Sequence, residues 1–189
     1  MHRALVLTSV IAPLIAAPHV HAQAASSPPA VTTPTIPADS ADVATLESTV
    51  KALYDVISGP AGQVRNWNRF RSLFVPGARL IPTGGGRGGA PATARVLTPD
   101  EYAALSGPQL ERNGFFEREI SRVVESFGRV THVFSTYESR RTASDAQPFA
   151  RGINSIQLLN DGKRWWIVTV YWDSERPDNP IPPKYLNGK

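Results

Sequence analysis

Residues 149–173 read FARGINSIQLLNDGKRWWIVTVYWD, and this stretch decides the fold. Apolar and polar residues alternate on both sides of Asp161-Gly162, which is the period of a strand. Asp-Gly between two such runs signals a tight hairpin. Taken as a two-residue turn, it sets Asn160 opposite Lys163. Counting back, Asn154 then faces Thr169, Gly152 faces Tyr171, and Arg151 faces Trp172. One face carries Gly152, Asn154, Ile156, Trp165, Ile167, Thr169 and Tyr171; the other carries Arg151, Ile153, Trp166, Val168, Val170 and Trp172. Both faces hold large apolar groups, as expected of strands covered on two sides. In so short a chain the second cover is expected to be another copy, so a homodimer through the sheet is predicted.

Working outward, Phe115–Phe127 and Arg129–Thr142 also alternate. Four long strands joined by short turns form an antiparallel meander. Upstream the period changes. Val43, Leu46, Val50, Leu53, Tyr54 and Ile57 recur every three or four residues, which predicts a helix from Asp39 or Ser40 to about Ser58. A second helix is expected over Val64–Phe74, a strand over Ala78–Ile81, and a third helix from the Thr98-Pro-Asp-Glu101 capping box to about Ser106. Helices first and strands after give an α+β fold with the helices on one face of the sheet.

The ends read differently. In residues 1–22, Arg3 precedes an apolar run from Ala4 to Ala17, and His19-Val20-His21-Ala22 offers small residues for a cut after Ala22. That is the pattern of a signal peptide; the run is too short for a transmembrane helix, which needs about 20 apolar residues. The protein is therefore expected in the periplasm or secreted, with no membrane contact after cleavage. Residues 23–38, rich in Ala, Ser, Thr and Pro, read as a disordered spacer. Residues 39–175 form the expected domain, and 176–189 a proline-rich tail.

Composition narrows the chemistry. The chain has no cysteine, which removes disulfides and thiolate chemistry. Cleavage after Ala22 would leave His132 as the one histidine, so multi-histidine metal sites are excluded and no metal or cofactor is expected. The net charge of +4 is small and spread among acidic neighbours, as in Glu117-Arg118-Glu119, which reads as a mixed, solvated surface rather than a nucleic-acid footprint. The run Gly84–Gly89 (GGGRGG) lacks the Lys-Ser/Thr ending of a phosphate loop.

Trp67-Asn-Arg-Phe-Arg-Ser-Leu-Phe74, Ala78-Arg-Leu-Ile81, the four strands, and Asp161-Gly-Lys-Arg-Trp-Trp-Ile167 with Trp172-Asp-Ser174 together resemble the NTF2-like superfamily, including its SnoaL-like and ketosteroid isomerase-like members. The resemblance covers about residues 41–175. It implies a cystatin-like cone in which three N-terminal helices pack on a curved antiparallel sheet, with a pocket at the mouth and dimers through the sheet. Isomerase-like members use a first-helix tyrosine, an aspartate base after the first strand, and an acid in the next-to-last long strand. Tyr54 lies near the first position, Pro82 near the second, and Asn154 near the third. Pro82 cannot accept a proton.

The ligand-binding candidates are Tyr54, Trp67, His132, Asn154, Thr169 and Tyr171. Asn154 is unusual in a strand, and a buried amide needs partners. Gly152 suits a bend point, while Thr169 and Tyr171 share its expected face. Trp67 could wall an apolar cavity. His132 has the side chain suited to proton transfer near neutrality and, with Tyr54, is a catalytic candidate; the carboxylates available to partner it are Glu117, Glu119, Asp55 and Glu138. Arg151 and Trp172 are expected as a cation–π pair, and Arg65 with Arg69 as a solvated helix face. The functional expectation is a domain that binds a small, partly apolar molecule. The alternatives are a cofactor-independent acid–base enzyme of the isomerase, dehydratase or cyclase kind, and a protein-interaction module.

Overall fold

The computed structural model describes residues 36–84 and 91–187. The expected signal peptide, all but the last three residues of the spacer, and most of the glycine-rich run lie outside these.

The first expected helix is two. Helix α1 (Ser40–Val43) is capped by Asp39, and α2 (Leu46–Ile57) starts anew at Thr45, whose extended backbone breaks the run. Thr45 and Ser48 exchange side-chain bonds to each other's backbone N–H, a capping box that fixes the break. Helix α3 is only Trp67–Ser72, capped by Asn66. Helix α4 (Pro99–Asn113) opens at the Thr98–Glu101 capping box as expected, but it runs on past Pro108. The expected stop at Ser106 is corrected by packing: a Cβ on Gly107 would lie 2.8 Å from the Trp67 ring, so the glycine admits close contact between α3 and α4.

Strand β1 (Phe74–Gly84) begins before the expected start at Ala78, carries Pro76-Gly77 within an irregularity, and is followed by the short β2 (Thr93–Ala94). The meander is β3 (Phe116–Phe127), β4 (Val130–Arg140), β5 (Ala150–Asn160) and β6 (Trp165–Ser174). Spatial order is β2-β1-β6-β5-β4-β3, with β1 parallel to β6 and every other pair antiparallel. The sheet is curved and mixed, not wholly antiparallel. Val50, Leu53 and Ile57 of α2 and Phe70 of α3 fill its concave side against Val133, Ile156 and Ile167.

The expected hairpin register is corrected. Asn160 pairs with Trp165, so the turn spans Asp161–Arg164. The Asp161 carboxylate accepts from Trp166 Nε1, Arg164 N and Lys163 N, which holds this wider turn and keeps its pKa down at about 2. A bulge then falls between Gln157/Thr169 and Leu158/Ile167. Asn154 consequently faces Trp172, and Ser155 faces Tyr171. Arg151 pairs with Glu175 instead of stacking on Trp172.

Arg65 is also corrected. It lies before α3, is buried, and donates to the carbonyls of Ile57, Gly59 and Gln63. Arg69 is ion-paired with Asp42. The tail crosses the convex side of the sheet: Ile181 is buried, Thr136 Oγ1 donates to the Tyr185 carbonyl at 2.7 Å, and Tyr185 meets Phe134 edge-on.

Candidate functional site

The curved sheet and the helices leave a cavity of about 360 Å³, within the range of small-molecule sites. Its wall is largely aromatic and aliphatic. Phe70 and Tyr102 stack at 5.5 Å, and Tyr102 meets Trp172 edge-on at 6.1 Å. Leu105, Phe149 and Arg141 stand exposed at the mouth.

Glu117 enters this wall from β3. Alternation places Glu117 and Glu119 on the concave face, where they pair with Ser139 and Tyr137. The expected mixed, solvated surface at Glu117-Arg118-Glu119 is thus corrected: only Arg118 points outward, to Glu138. Burial among aromatic groups disfavours the charged form of Glu117 and pushes its pKa up to about 7. Ser139 Oγ, which donates to Oε2 at 2.8 Å, and the Asn154 side chain oppose that rise by supporting the carboxylate.

Behind Glu117 runs a chain of bonds that reaches Glu119. Ser135 Oγ donates to Glu119 Oε1 at 2.5 Å. Its single proton is thereby used, so it accepts from the Tyr54 hydroxyl at 2.7 Å. Asn154 Nδ2 donates to Tyr54 at 3.0 Å. Tyr54 therefore has its proton committed within the protein, and burial lifts its pKa far above the ordinary phenol value. Tyr102 differs. Among the described residues its hydroxyl makes no hydrogen bond, although it lines the cavity and its pKa is raised by burial and by the nearby Glu117 charge. Tyr137 shares the wall and contacts Ser174 at 3.3 Å; burial raises it to about 12.

This helix-backed, curved sheet has solved counterparts. The chain superimposes on a protein of unknown function with a cystatin-like fold from Nostoc punctiforme PCC 73102 at a TM-score of 0.51 and 8% identity, over 72% of this chain and 92% of that one. The fold is the expected cystatin-like one. NTF2-like proteins of unknown function from Silicibacter pomeroyi DSS-3 (TM-score 0.48, 15% identity, 70% of this chain and 94% of that one) and Methylobacillus flagellatus KT (0.43, 11%, 70% and 95%) are similar too. No protein-family model and no curated protein matches the sequence.

In this cystatin-like fold, Tyr54 and Asn154 come together at the cavity, and the other four candidates do not join them. Trp67 packs beneath α4, with Nε1 donating to Glu111 at 3.0 Å. The bulge at Val168 turns Thr169 and Tyr171 to the convex face, where Tyr171 is exposed and lines a hollow between sheet and tail. His132 is on that same convex face, bonded to Ser155 Oγ at 2.9 Å and beside Phe134. The expected grouping of Asn154 with Thr169 and Tyr171 is corrected accordingly. Pro82 lies on β1 beside Trp172, while the cavity's carboxylate comes from β3 at the far edge of the sheet. Glu117 had one signal in the sequence: two glutamates spaced by two in a strand must share a face.

Proposed function

We propose that the cavity binds a small, partly apolar carbonyl compound and that Glu117 exchanges a proton with it, without metal or cofactor. The observation that carries this reading is a carboxylate with a pKa of about 7 in an aromatic-lined cavity. A general base works best when its pKa is near the operating pH, and burial supplies that match here. In the proposed step the Glu117 carboxylate removes a proton from the carbon next to the carbonyl. The electron pair moves onto the carbonyl oxygen, where the free Tyr102 O–H donates to it. Glu117, now a carboxylic acid, returns the proton at a second atom. Return to carbon gives isomerisation; return to a departing hydroxyl gives dehydration. Tyr54 and Asn154 position the base rather than meet the substrate. The signal-peptide pattern of residues 1–22 supports a site of action outside the cytoplasm as part of this proposal.

The test is carbon-bound hydrogen exchange. Wild-type protein in deuterated buffer should exchange the α-hydrogens of β-tetralone above the buffer rate by NMR. Glu117→Gln should return the rate to background. A wild-type rate equal to buffer across a panel of cyclic and aromatic ketones would sink the base assignment.

A further inference from the structure

We propose that Arg141 anchors a carboxylate on the molecule that enters the cavity, so that the substrate class is an apolar keto acid; this rests on the cavity being the binding site. Among the described residues, Glu117 and Arg141 are the only Asp, Glu, Lys, Arg or His side chains in the cavity wall. The neighbouring arginines already have carboxylate partners: Arg118 and Arg140 share Glu138, Arg122 pairs with Glu119, and Arg151 with Glu175. Arg141 has no ion pair among the described residues. Its guanidinium instead lies 4.0 Å over the Phe149 ring at the mouth. Stacking leaves the edge of the planar fork free, and that edge is what binds a carboxylate through two parallel bonds.

Position adds to this. Arg141 follows Ser139 by two residues, and Ser139 donates to Glu117. Arg141 is the first residue past the end of β4, and two residues of chain span at most about 7 Å, so its backbone stays within that distance of Ser139. A carboxylate held by Arg141 would thus leave a few bonds to reach a carbon at Glu117, with the apolar body against Tyr102, Leu105 and Trp172. Docking the anion on the cation also keeps it from Glu117, whose ionisation it would otherwise oppose.

The experiment is isothermal titration of β-naphthoate and β-naphthamide, which share one ring system and differ in charge. It is run at about pH 6, below the Glu117 value of about 7, so that the base is mostly neutral. Wild type should prefer the acid by roughly tenfold, the scale of a charge-assisted bond. Arg141→Met should abolish that preference while keeping the amide's affinity, Arg141→Lys should restore part of it, and Arg129→Met at the opposite hairpin should leave it intact. Equal binding of acid and amide by wild type, or a preference that survives Arg141→Met, overturns the anchor and leaves the cavity reading standing. No binding of either compound overturns both. Should Arg141→Met fail to fold by circular dichroism, Arg141→Gln replaces it.

Discussion

Asn154 Nδ2 lies 3.0 Å from the Tyr54 hydroxyl, joining β5 to α2 across the floor of the cavity. The bond makes both residues parts of one buried network that ends on Glu117 and Glu119. Tyr54→Phe removes the acceptor for Asn154 and the donor for Ser135. It should lower unfolding free energy by about 1–3 kcal/mol in urea titrations, yet change β-naphthamide affinity less than twofold. A loss of binding larger than the loss of stability would give Tyr54 a direct role with ligand.

Glu117 sets a pH dependence. Its folded-state pKa is raised above the unfolded value of 4.5 to about 7. The fold therefore binds the proton more tightly than the unfolded chain, and stability falls as pH rises between those values. Glu117→Gln should flatten that slope. With screening through the open mouth, the variant should gain roughly 1–2 kcal/mol at pH 8 and almost nothing at pH 4. A slope unchanged by the substitution would mean the carboxylate titrates normally.

Gly152 is fixed by closeness. An added Cβ would stand 2.4 Å from the Asp173 carbonyl oxygen and 2.4 Å from the Tyr137 hydroxyl. The backbone oxygen cannot step aside cheaply, so Gly152→Ala should cost about 1–3 kcal/mol. Thermal unfolding followed by circular dichroism would register it, and an unchanged midpoint would deny the contact.

Arg65 fastens the loop after α2 by donating to five carbonyls, those of Ile57, Gly59, Pro60, Gln63 and Leu110. Arg65→Met removes all of these bonds, leaving Gly59 O only its bond from Phe115 N, and should cost about 3 kcal/mol. Arg65→Lys should recover only part of it, because an ammonium cannot reproduce the planar fork. Full rescue by lysine, read as urea midpoints, would reduce the role of Arg65 to charge alone.

The order of helices and strands was legible because period and capping are local properties. The four strands start and stop within two residues of where alternation places them, and the Thr98 capping box is present. The site was less legible, for reasons visible at two residues. Reading Asp161-Gly162 as the whole turn misplaced the register by two, which keeps every side chain on its own face. The extra residue at Val168 moved it by one more, and that odd step sent Thr169 and Tyr171 to the other side. Nothing local announces a bulge in a run of Ile-Val-Thr-Val. Glu117 was hidden for a different reason: a charged triplet in an edge strand resembles surface until a cavity is known to lie beneath it.

The parallel pairing of β1 with β6 has a consequence for how the molecule is made. Phe74 finds its neighbour only at Ile167, near the end of the chain. β1 therefore cannot complete this pairing until β6 has been made. Contacts so distant along the backbone slow folding. A chain that stopped at Asn160 would be left with an open seam where the first strand should dock, and proteases would meet it in that state.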